Sequence, residues 1–174
     1  RKEHEYYSLV LNYVMAKLSL LLGVFIEDKL VAQGYFGPVN DTEHRSSIEI
    51  VVLKDAKCRY STVQNWSNNI VNLVTKRADV YENGLMEWID GNIGSQINMK
   101  YPACILKGEG AKGICISIAV AGKGQIQDAG ARMIHLAPNT TSSIISKSIV
   151  KNGGISNYRG TCRIAENAIN SKAH

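Results

Sequence analysis

From Asn83 to Gly160 the chain alternates short apolar segments with glycine, asparagine and proline at regular intervals. Few of these segments carry a helical period, and short apolar segments bounded by turn residues are typical of β-strands. The pattern therefore predicts a succession of strands joined by tight turns, and the rest of the chain is organised around this tract.

Turn signals in this tract fall into two interleaved series, each with a step of about 28 residues. Two series with one spacing indicate the coils of a solenoid, each coil holding two or more strands. The side chains do not repeat from coil to coil, so the prediction depends on the turns. The first series is Asn83-Gly84, Gly110-Ala111, Asn139-Thr140 and Asn167-Ala168, and the second is Gly94, Gly124 and Gly153.

Three further strands are predicted upstream, at residues 48–53, 57–66 and 70–78. Strand alternation places Gln64 and Trp66 together on a partly polar face of the second, and Lys76 lies on the third. If these three side chains point inward, they form a polar lumen and need partners or water. If they face solvent at the edge of a coil, they need neither. Spacing alone leaves both alternatives open.

Residues 3–22 carry apolar side chains at helical spacing, which predicts an amphipathic helix. We expect this helix to cover one end of the solenoid, because a terminal coil must shield its open core. The expected division is a helical cap over residues 1–26 and a β-solenoid core over residues 27–174. The apolar run over residues 18–26 is much shorter than the roughly 20 residues of a membrane span, so no membrane partner is expected.

The composition is that of an ordinary globular domain, with 174 residues of which 45% are hydrophobic and 20% charged. The net charge of +5 is spread along the chain. A nucleic-acid surface would need clustered basic residues with interleaved aromatics, and neither is evident. We therefore expect no nucleic-acid partner.

Local motifs point to no familiar active site. The four cysteines lack the two-residue spacing of zinc sites, so no metal ligands are predicted. Residues 108–113 match the G-x-G-x-x-G dinucleotide pattern, but a strand-like segment follows where a helix is needed, which favours a turn. Residues 122–125 are interpreted as another turn. His135, in an apolar segment, is interpreted as a core residue with satisfied hydrogen bonds, and no catalytic residue is predicted.

Several longer strings carry a family resemblance, among them YSTVQNWSNN at 60–69, LVTKRA at 73–78, MEWIDGNIGS at 86–95 and MKYPACILKGEGAKG at 99–113. They closely resemble the SufB/SufD family, the scaffold proteins of the SUF system of iron–sulfur cluster assembly, and within it the SufB branch. The resemblance extends over about residues 44–170 almost without gaps, as a partial core of the family.

This resemblance implies an all-β fold, a right-handed parallel β-helix, which agrees with the two turn series. It implies a scaffold and not an enzyme, because the ATPase activity of the complex belongs to a SufC-type partner. Further implied partners are SufD or a second SufB copy, and a cysteine desulfurase or sulfur carrier. The implied cofactor is a transient iron–sulfur cluster.

The resemblance also assigns roles to individual residues. Gln64, Trp66 and Lys76 match positions on an internal polar path that is thought to carry sulfur through the β-helix of the family. These are the three residues that strand alternation marks as anomalous. A lysine would stabilise a migrating persulfide anion, and an amide could donate a hydrogen bond to it. Cys104 falls where some members also have cysteine, and it is a candidate thiol.

The chain departs from the family pattern in three ways, of which the first favours an alternative, whereas the retained Gln64, Trp66 and Lys76 favour the scaffold. Tyr35 stands at the position of the first cysteine of the path, in a loose alignment. The family's cysteine and His-Glu ligands of the assembly site, and its SufC-binding helices, lie beyond the position that matches His174. The alternative is a SufD-like structural partner that lacks the cluster-building chemistry, and in either case we expect this chain alone to bind no cluster.

The isoleucine- and asparagine-rich composition is typical of AT-rich genomes, and SufB genes are often plastid-encoded. The expected location is therefore a plastid, in the chloroplast or apicoplast stroma, or the bacterial cytoplasm.

Anaerobic reconstitution with iron and sulfide tests the expectation about the cluster. We expect the purified chain to retain no stable cluster, because the family's assembly-site ligands are not among its residues. Visible absorption spectroscopy measures this. An oxygen-sensitive absorption band that disappears in Cys104→Ser would contradict the expectation.

Overall fold

The computed structural model describes residues 7–10, 20–26, 29–36 and 43–174, with side chains from residue 43 onward, and these ranges contain strands and turns but no helix. The strands are β1 (Tyr7–Val10), β2 (Leu20–Ile26), β3 (Lys29–Phe36), β4 (Glu43–Val52), β5 (Lys57–Gln64), β6 (Val71–Val80), β7 (Leu85–Asn92), β8 (Ile97–Leu106), β9 (Lys112–Ala121), β10 (Ile126–His135), β11 (Thr141–Val150), β12 (Ile155–Ile164) and β13 (Lys172–Ala173).

From β4 onward, successive strands alternate between two sheets, and each pairs in parallel with the next strand but one. One sheet has the order β1-β5-β7-β9-β11-β13 and the other β12-β10-β8-β6-β4-β3-β2. Each coil therefore contributes one strand to each sheet, and the described chain forms a parallel β-solenoid of about 5 turns. The predicted solenoid is confirmed.

Antiparallel pairing occurs at one edge of the second sheet. There β2 pairs with β3, and β3 pairs with β4. Most of the predicted helix over residues 3–22 lies outside the described residues, so this helix stays a prediction, as does the division at residue 26. Within the described ranges, no helix has the length and apolar character needed to cross a membrane.

Side chains of the strands in the first coils alternate between the lumen and the outer face. In β4 every second residue is buried, from His44 to Val52, and β6 and β8 show the same period. Both sheets present their inward positions to one another, and the apolar ones form the core. This core includes Ile48, Ile50, Val52, Tyr60, Ala78, Val80, Met86, Trp88, Cys104, Leu106, Ala111, Cys115, Ala131 and Met133.

The predicted turns lie between the strands, and six of them hold a backbone in the left-handed region. Residues of this kind from both series are Asn83 (φ 53°), Gly94 (φ 90°), Gly110 (φ 69°), Gly124 (φ 75°), Asn139 (φ 59°) and Gly153 (φ 80°). Glycine and asparagine tolerate this conformation better than other residues. The pattern of turns was therefore visible in the sequence for a steric reason.

The two glycine-rich motifs are turns, as predicted. Residues 107–111 connect β8 to β9, so the motif at 108–113 runs from this turn into β9, and residues 122–125 connect β9 to β10. A strand follows each motif, so neither has the helix N-terminus that a dinucleotide site needs. Gly108 is required by close approach, because a Cβ there would lie 2.0 Å from the backbone nitrogen of Glu82 in the preceding coil.

Replacing each of two turn glycines by alanine should show whether close approach of the backbone or a positive φ contributes more to stability at these turns. We expect Gly108→Ala to lower the free energy of unfolding by about 3 kcal/mol, because the new methyl group overlaps the backbone of the neighbouring coil. Gly124→Ala should cost about 1 kcal/mol, because it strains a positive φ in open space. Urea unfolding measures both, and an equal or reversed order would contradict this account of coil spacing.

Candidate functional site

The three candidate residues of the polar path lie on consecutive strands of opposite sheets. Gln64 ends β5, Trp66 follows that strand, and Lys76 lies in the middle of β6. Lys76 is 1% exposed, whereas Gln64 and Trp66 are half-buried. Of the two alternatives that spacing leaves open, the inward one therefore holds for Lys76. The predicted strand at 57–66 is shorter than expected, so Trp66 lies in the turn beyond it.

A cavity of about 80 Å³ brings these three side chains together. Its size suits a small ion or a few water molecules. Trp66 stacks on His44 at one side of this cavity, with 4.8 Å between the ring centroids. The lining residues are His44, Ser46, Ile48, Tyr60, Thr62, Val63, Gln64, Asn65, Trp66, Val74 and Lys76.

One carboxylate oxygen holds two buried ammonium groups behind this cavity. Oδ1 of Asp90 lies 2.6 Å from Nζ of Lys76 and 3.0 Å from Nζ of Lys100, and all three side chains are 1% exposed. Thr62 donates its hydroxyl to the same oxygen at 2.5 Å. The other oxygen of Asp90, Oδ2, is buried without a hydrogen-bond partner among the described residues. Two cations and one anion leave the lumen with an excess positive charge.

Sequence reasoning missed Asp90 and Lys100, although both lie inside strings that carry the family resemblance. Strand alternation was the signal that could have found Asp90, because it shares the inward face of β7 with Met86 and Trp88. A charged residue on such an apolar face needs a partner of opposite charge. The partner itself was not predictable, because Lys100 comes from the opposite sheet.

Burial and neighbouring charges shift the pKa values of Asp90 and Lys76. Burial alone would raise the pKa of Asp90, but the charges of Lys100 and Lys76 more than offset it and hold that pKa well below its usual range. Burial and the positive charge of Lys100 lower the pKa of Lys76 to about 7, against the attraction of Asp90. Lys76 is therefore a buried amine that can gain or lose a proton near neutral pH.

Polar side chains at one inward position of successive strands form an amide ladder, which consists of His44, Asn72, Asn98 and Gln127 on β4, β6, β8 and β10. Neighbouring members are joined by hydrogen bonds of 3.0, 2.6 and 2.9 Å. Asn72 also donates to Oε1 of Gln64 at 3.1 Å. The ladder therefore connects the cavity to the lumen of later coils, and sequence analysis did not predict it.

Cys104 is fully buried, and burial raises the pKa of its thiol well above the usual range. Burial likewise raises the pKa of Cys58 to about 11 and that of Cys115 to about 12. These thiols are protonated at neutral pH, and a protonated thiol is a poor nucleophile. Within residues 43–174, no group of three or more His, Cys, Asp and Glu side chains is arranged to hold a metal ion.

His135 is a core residue, as predicted. It is fully buried, and its two ring nitrogens lie 2.7 Å from the hydroxyl of Thr140 and 2.9 Å from the hydroxyl of Ser142. Both nitrogens are thus satisfied within the same coil.

Residues 28–174 match the protein family described as SUF system FeS cluster assembly, SufBD core domain. The chain belongs to this SufBD family. The match covers β3 to β13, including the cavity, the two buried lysines and the amide ladder.

Relatives of this SufBD chain are known from bacteria. An iron–sulfur cluster assembly SufBD family protein of Staphylococcus aureus strain USA300 is 58% identical over 144 residues, which is 82% of this chain and 31% of that protein. The iron–sulfur cluster assembly protein SufB of Bacillus subtilis strain 168 is also 58% identical, with the same coverage of both chains. The chain thus spans about a third of the length of the curated relatives it matches.

Titration of Lys76 should be visible in the stability of the protein. Because the folded pKa is about 7 and the ordinary value is 10.5, the unfolded chain binds more protons between these values, and stability must rise with pH. We expect the titration of Lys76 by itself to raise the free energy of unfolding by about 1 kcal/mol per pH unit between pH 7 and about 8, below the ordinary thiol pKa of about 8.5.

Two variants isolate this slope from other titrations. In Lys76→Met the slope should fall by about this amount while the pair of Asp90 and Lys100 remains. Lys123→Met, which removes an exposed turn lysine, should keep it. Denaturant unfolding at a series of pH values measures both, and an unchanged slope in Lys76→Met would contradict the low pKa.

Proposed function

We propose that this chain is the β-solenoid core of a SufB-type scaffold for iron–sulfur cluster assembly, and that its polar lumen passes sulfur in anionic form. The observation that supports this proposal is the excess positive charge of Lys76 and Lys100 around one carboxylate, next to a cavity that Gln64 and Trp66 line. A buried cation without a full counter-charge favours an anion beside it.

Each side chain has a definite role in this proposal. The ammonium group of Lys76 stabilises the negative charge of a small sulfur anion in the cavity. Because the pKa of Lys76 is near 7, its ammonium group can donate a proton to the sulfur and the amine can accept it again. The sulfur can therefore be neutralised and ionised again within the lumen. Gln64 supplies an N–H donor, and Trp66 covers the cavity with its ring.

The proposed protein acts as a scaffold and not as a catalyst with turnover. A SufC-type ATPase, SufD or a second SufB copy, and a cysteine desulfurase or sulfur carrier are its proposed partners, and the cluster is its transient cargo. The coils are proposed to be right-handed, as nearly all parallel β crossovers are. The bacterial relatives favour the bacterial cytoplasm, and nothing in the comparisons supports the plastid.

The alternative is a SufD-like structural partner without the sulfur chemistry. Tyr35 favours it, because a phenol cannot form a persulfide, and this residue lies in β3 opposite Ser47 of β4. The protonated thiols of the half-buried Cys58 and the buried Cys104 and Cys115 offer no ready substitute. The comparisons do not favour this alternative, and it leaves the two buried lysines unexplained.

A hybrid protein tests the proposal within a complete scaffold. Residues 28–174 replace the matching segment of B. subtilis SufB in a strain depleted of its own copy, and aconitase activity reports cluster supply. We expect the hybrid to restore that activity, and Lys76→Met to lower it about tenfold, because a charge-assisted hydrogen bond to the migrating anion is lost. Lys123→Met is the matched control and should behave as the unaltered hybrid.

The outcomes distinguish the two functions. Full activity in the Lys76→Met hybrid would overturn the sulfur path through the lumen. An unaltered hybrid that is folded and present at normal levels but inactive would favour the structural partner. Immunoblotting and limited proteolysis of each hybrid establish that it is present and folded.

A further inference from the structure

All hydrogen bonds between the amides of the ladder are donated in the same direction along it, and the acceptor at one end determines that direction. Oxygen and nitrogen of an amide side chain exchange places when the group turns by half a rotation, so each orientation must be inferred from its partners. One end of this ladder meets a group that has no such choice. Nε2 of Gln127 lies 2.7 Å from the backbone carbonyl oxygen of Gly94, and that oxygen can only accept.

This anchor orients every amide above it. Because Nε2 of Gln127 donates to Gly94, its Oε1 is left to accept from Nδ2 of Asn98 at 2.9 Å. Oδ1 of Asn98 then accepts from Nδ2 of Asn72 at 2.6 Å. All three amides are at most 2% exposed, so water offers no competing partner, and reversing one of them would leave donors facing donors.

Asn72 is the branch point at which the ladder reaches the cavity. Its second N–H donates to Oε1 of Gln64 at 3.1 Å, and its Oδ1 lies 3.0 Å from Nδ1 of His44, which must therefore carry the proton. With Oε1 of Gln64 engaged, the NH₂ group of Gln64 is turned away from Asn72, toward the cavity that Gln64 lines. This NH₂ group donates to no described residue.

We propose that Asn72 is a positioning residue that holds the Gln64 amide with its NH₂ group toward the cavity, so that the cavity presents donors to a small anion and rejects cations. Gln64 and Lys76 then approach the anion with N–H groups from opposite sheets. This inference rests on the proposed function, which assigns Gln64 and Lys76 as the groups that contact the anion. It adds that selectivity for charge is set by a hydrogen-bond relay that begins at the Gly94 carbonyl, in a later coil than His44.

Two isosteric substitutions test this role against a purely structural one. Asn72→Asp replaces the donating nitrogen by an oxygen, so Gln64 must turn its NH₂ group toward the new carboxylate and present oxygen to the cavity. Asn98→Asp makes the same chemical change and adds the same charge one coil further on. It still accepts from Asn72, so the bond from Asn72 to Gln64 survives. The pair therefore separates orientation from charge and from general damage to the ladder.

Fluorescence quenching of the full chain measures access of ions to the cavity. The chain has two tryptophans, of which Trp88 is fully buried, so collisional quenchers report on Trp66. The probes are iodide, caesium and neutral acrylamide. We expect iodide quenching, relative to acrylamide, to fall about threefold in Asn72→Asp and to change little in Asn98→Asp, because only the first variant removes a donor from the cavity. Caesium quenching should rise in Asn72→Asp.

Equal losses in the two variants, or no loss in Asn72→Asp, would overturn the proposal. If Asn72→Asp does not fold, the unaltered protein still provides a test. Its Gln64 side-chain NH₂ resonances should shift on titration with iodide, and resonances that stay constant would overturn the proposal as well. Both measurements use the purified chain and no cluster assembly, so a failed hybrid experiment would contradict the proposed function and leave the orientation of Gln64 to be decided by these results.

Discussion

The contact on which the lumen depends is the single carboxylate oxygen of Asp90 between Lys76 and Lys100. Each of these charges would be very costly to bury alone, and removal of one partner from a buried ion pair typically costs about 3–5 kcal/mol. With Asp90 in place, both lysines stay inside a narrow solenoid at 1% exposure. When Lys76 is protonated, the cluster has one more positive than negative charge, and the proposed preference of the cavity for anions rests on that imbalance.

The parallel coil makes such an arrangement possible. In a parallel solenoid the same inward position recurs directly above itself in each coil, so polar groups that differ by one coil in sequence become hydrogen-bonded neighbours. Thr62 and Asp90 meet in this way on one sheet, and Asn72 and Asn98 on the other. Apolar positions between them, such as Trp88, exclude water, which strengthens each polar contact. The register between coils therefore determines both which polar side chains meet in the lumen and how strongly they interact.

The thiols of this lumen and Lys76 differ in whether they can exchange a proton near neutral pH. Burial makes each thiol harder to ionise, which removes it as a nucleophile, whereas burial makes Lys76 easier to deprotonate, which gives it a useful proton. The same low-dielectric environment thus keeps the Cys104 thiol protonated and lowers the pKa of Lys76 toward neutrality. Near neutral pH the lumen can therefore exchange a proton at Lys76, whereas its protonated thiols offer no nucleophile.

The sequence by itself determined where the coils turn. Asn83, Gly94 and Gly124 marked the turns because a positive φ selects glycine and asparagine locally, and Lys76 was recognisable as a charge in an apolar strand. Only the tertiary structure decided which groups meet. Asp90, Lys100 and the amide ladder come from strands that are distant in sequence, and their contacts depend on the register between coils, which no local pattern encodes. The orientation of Gln64 is the clearest case, because it is set by the carbonyl of Gly94 in a later coil, through three intervening side chains.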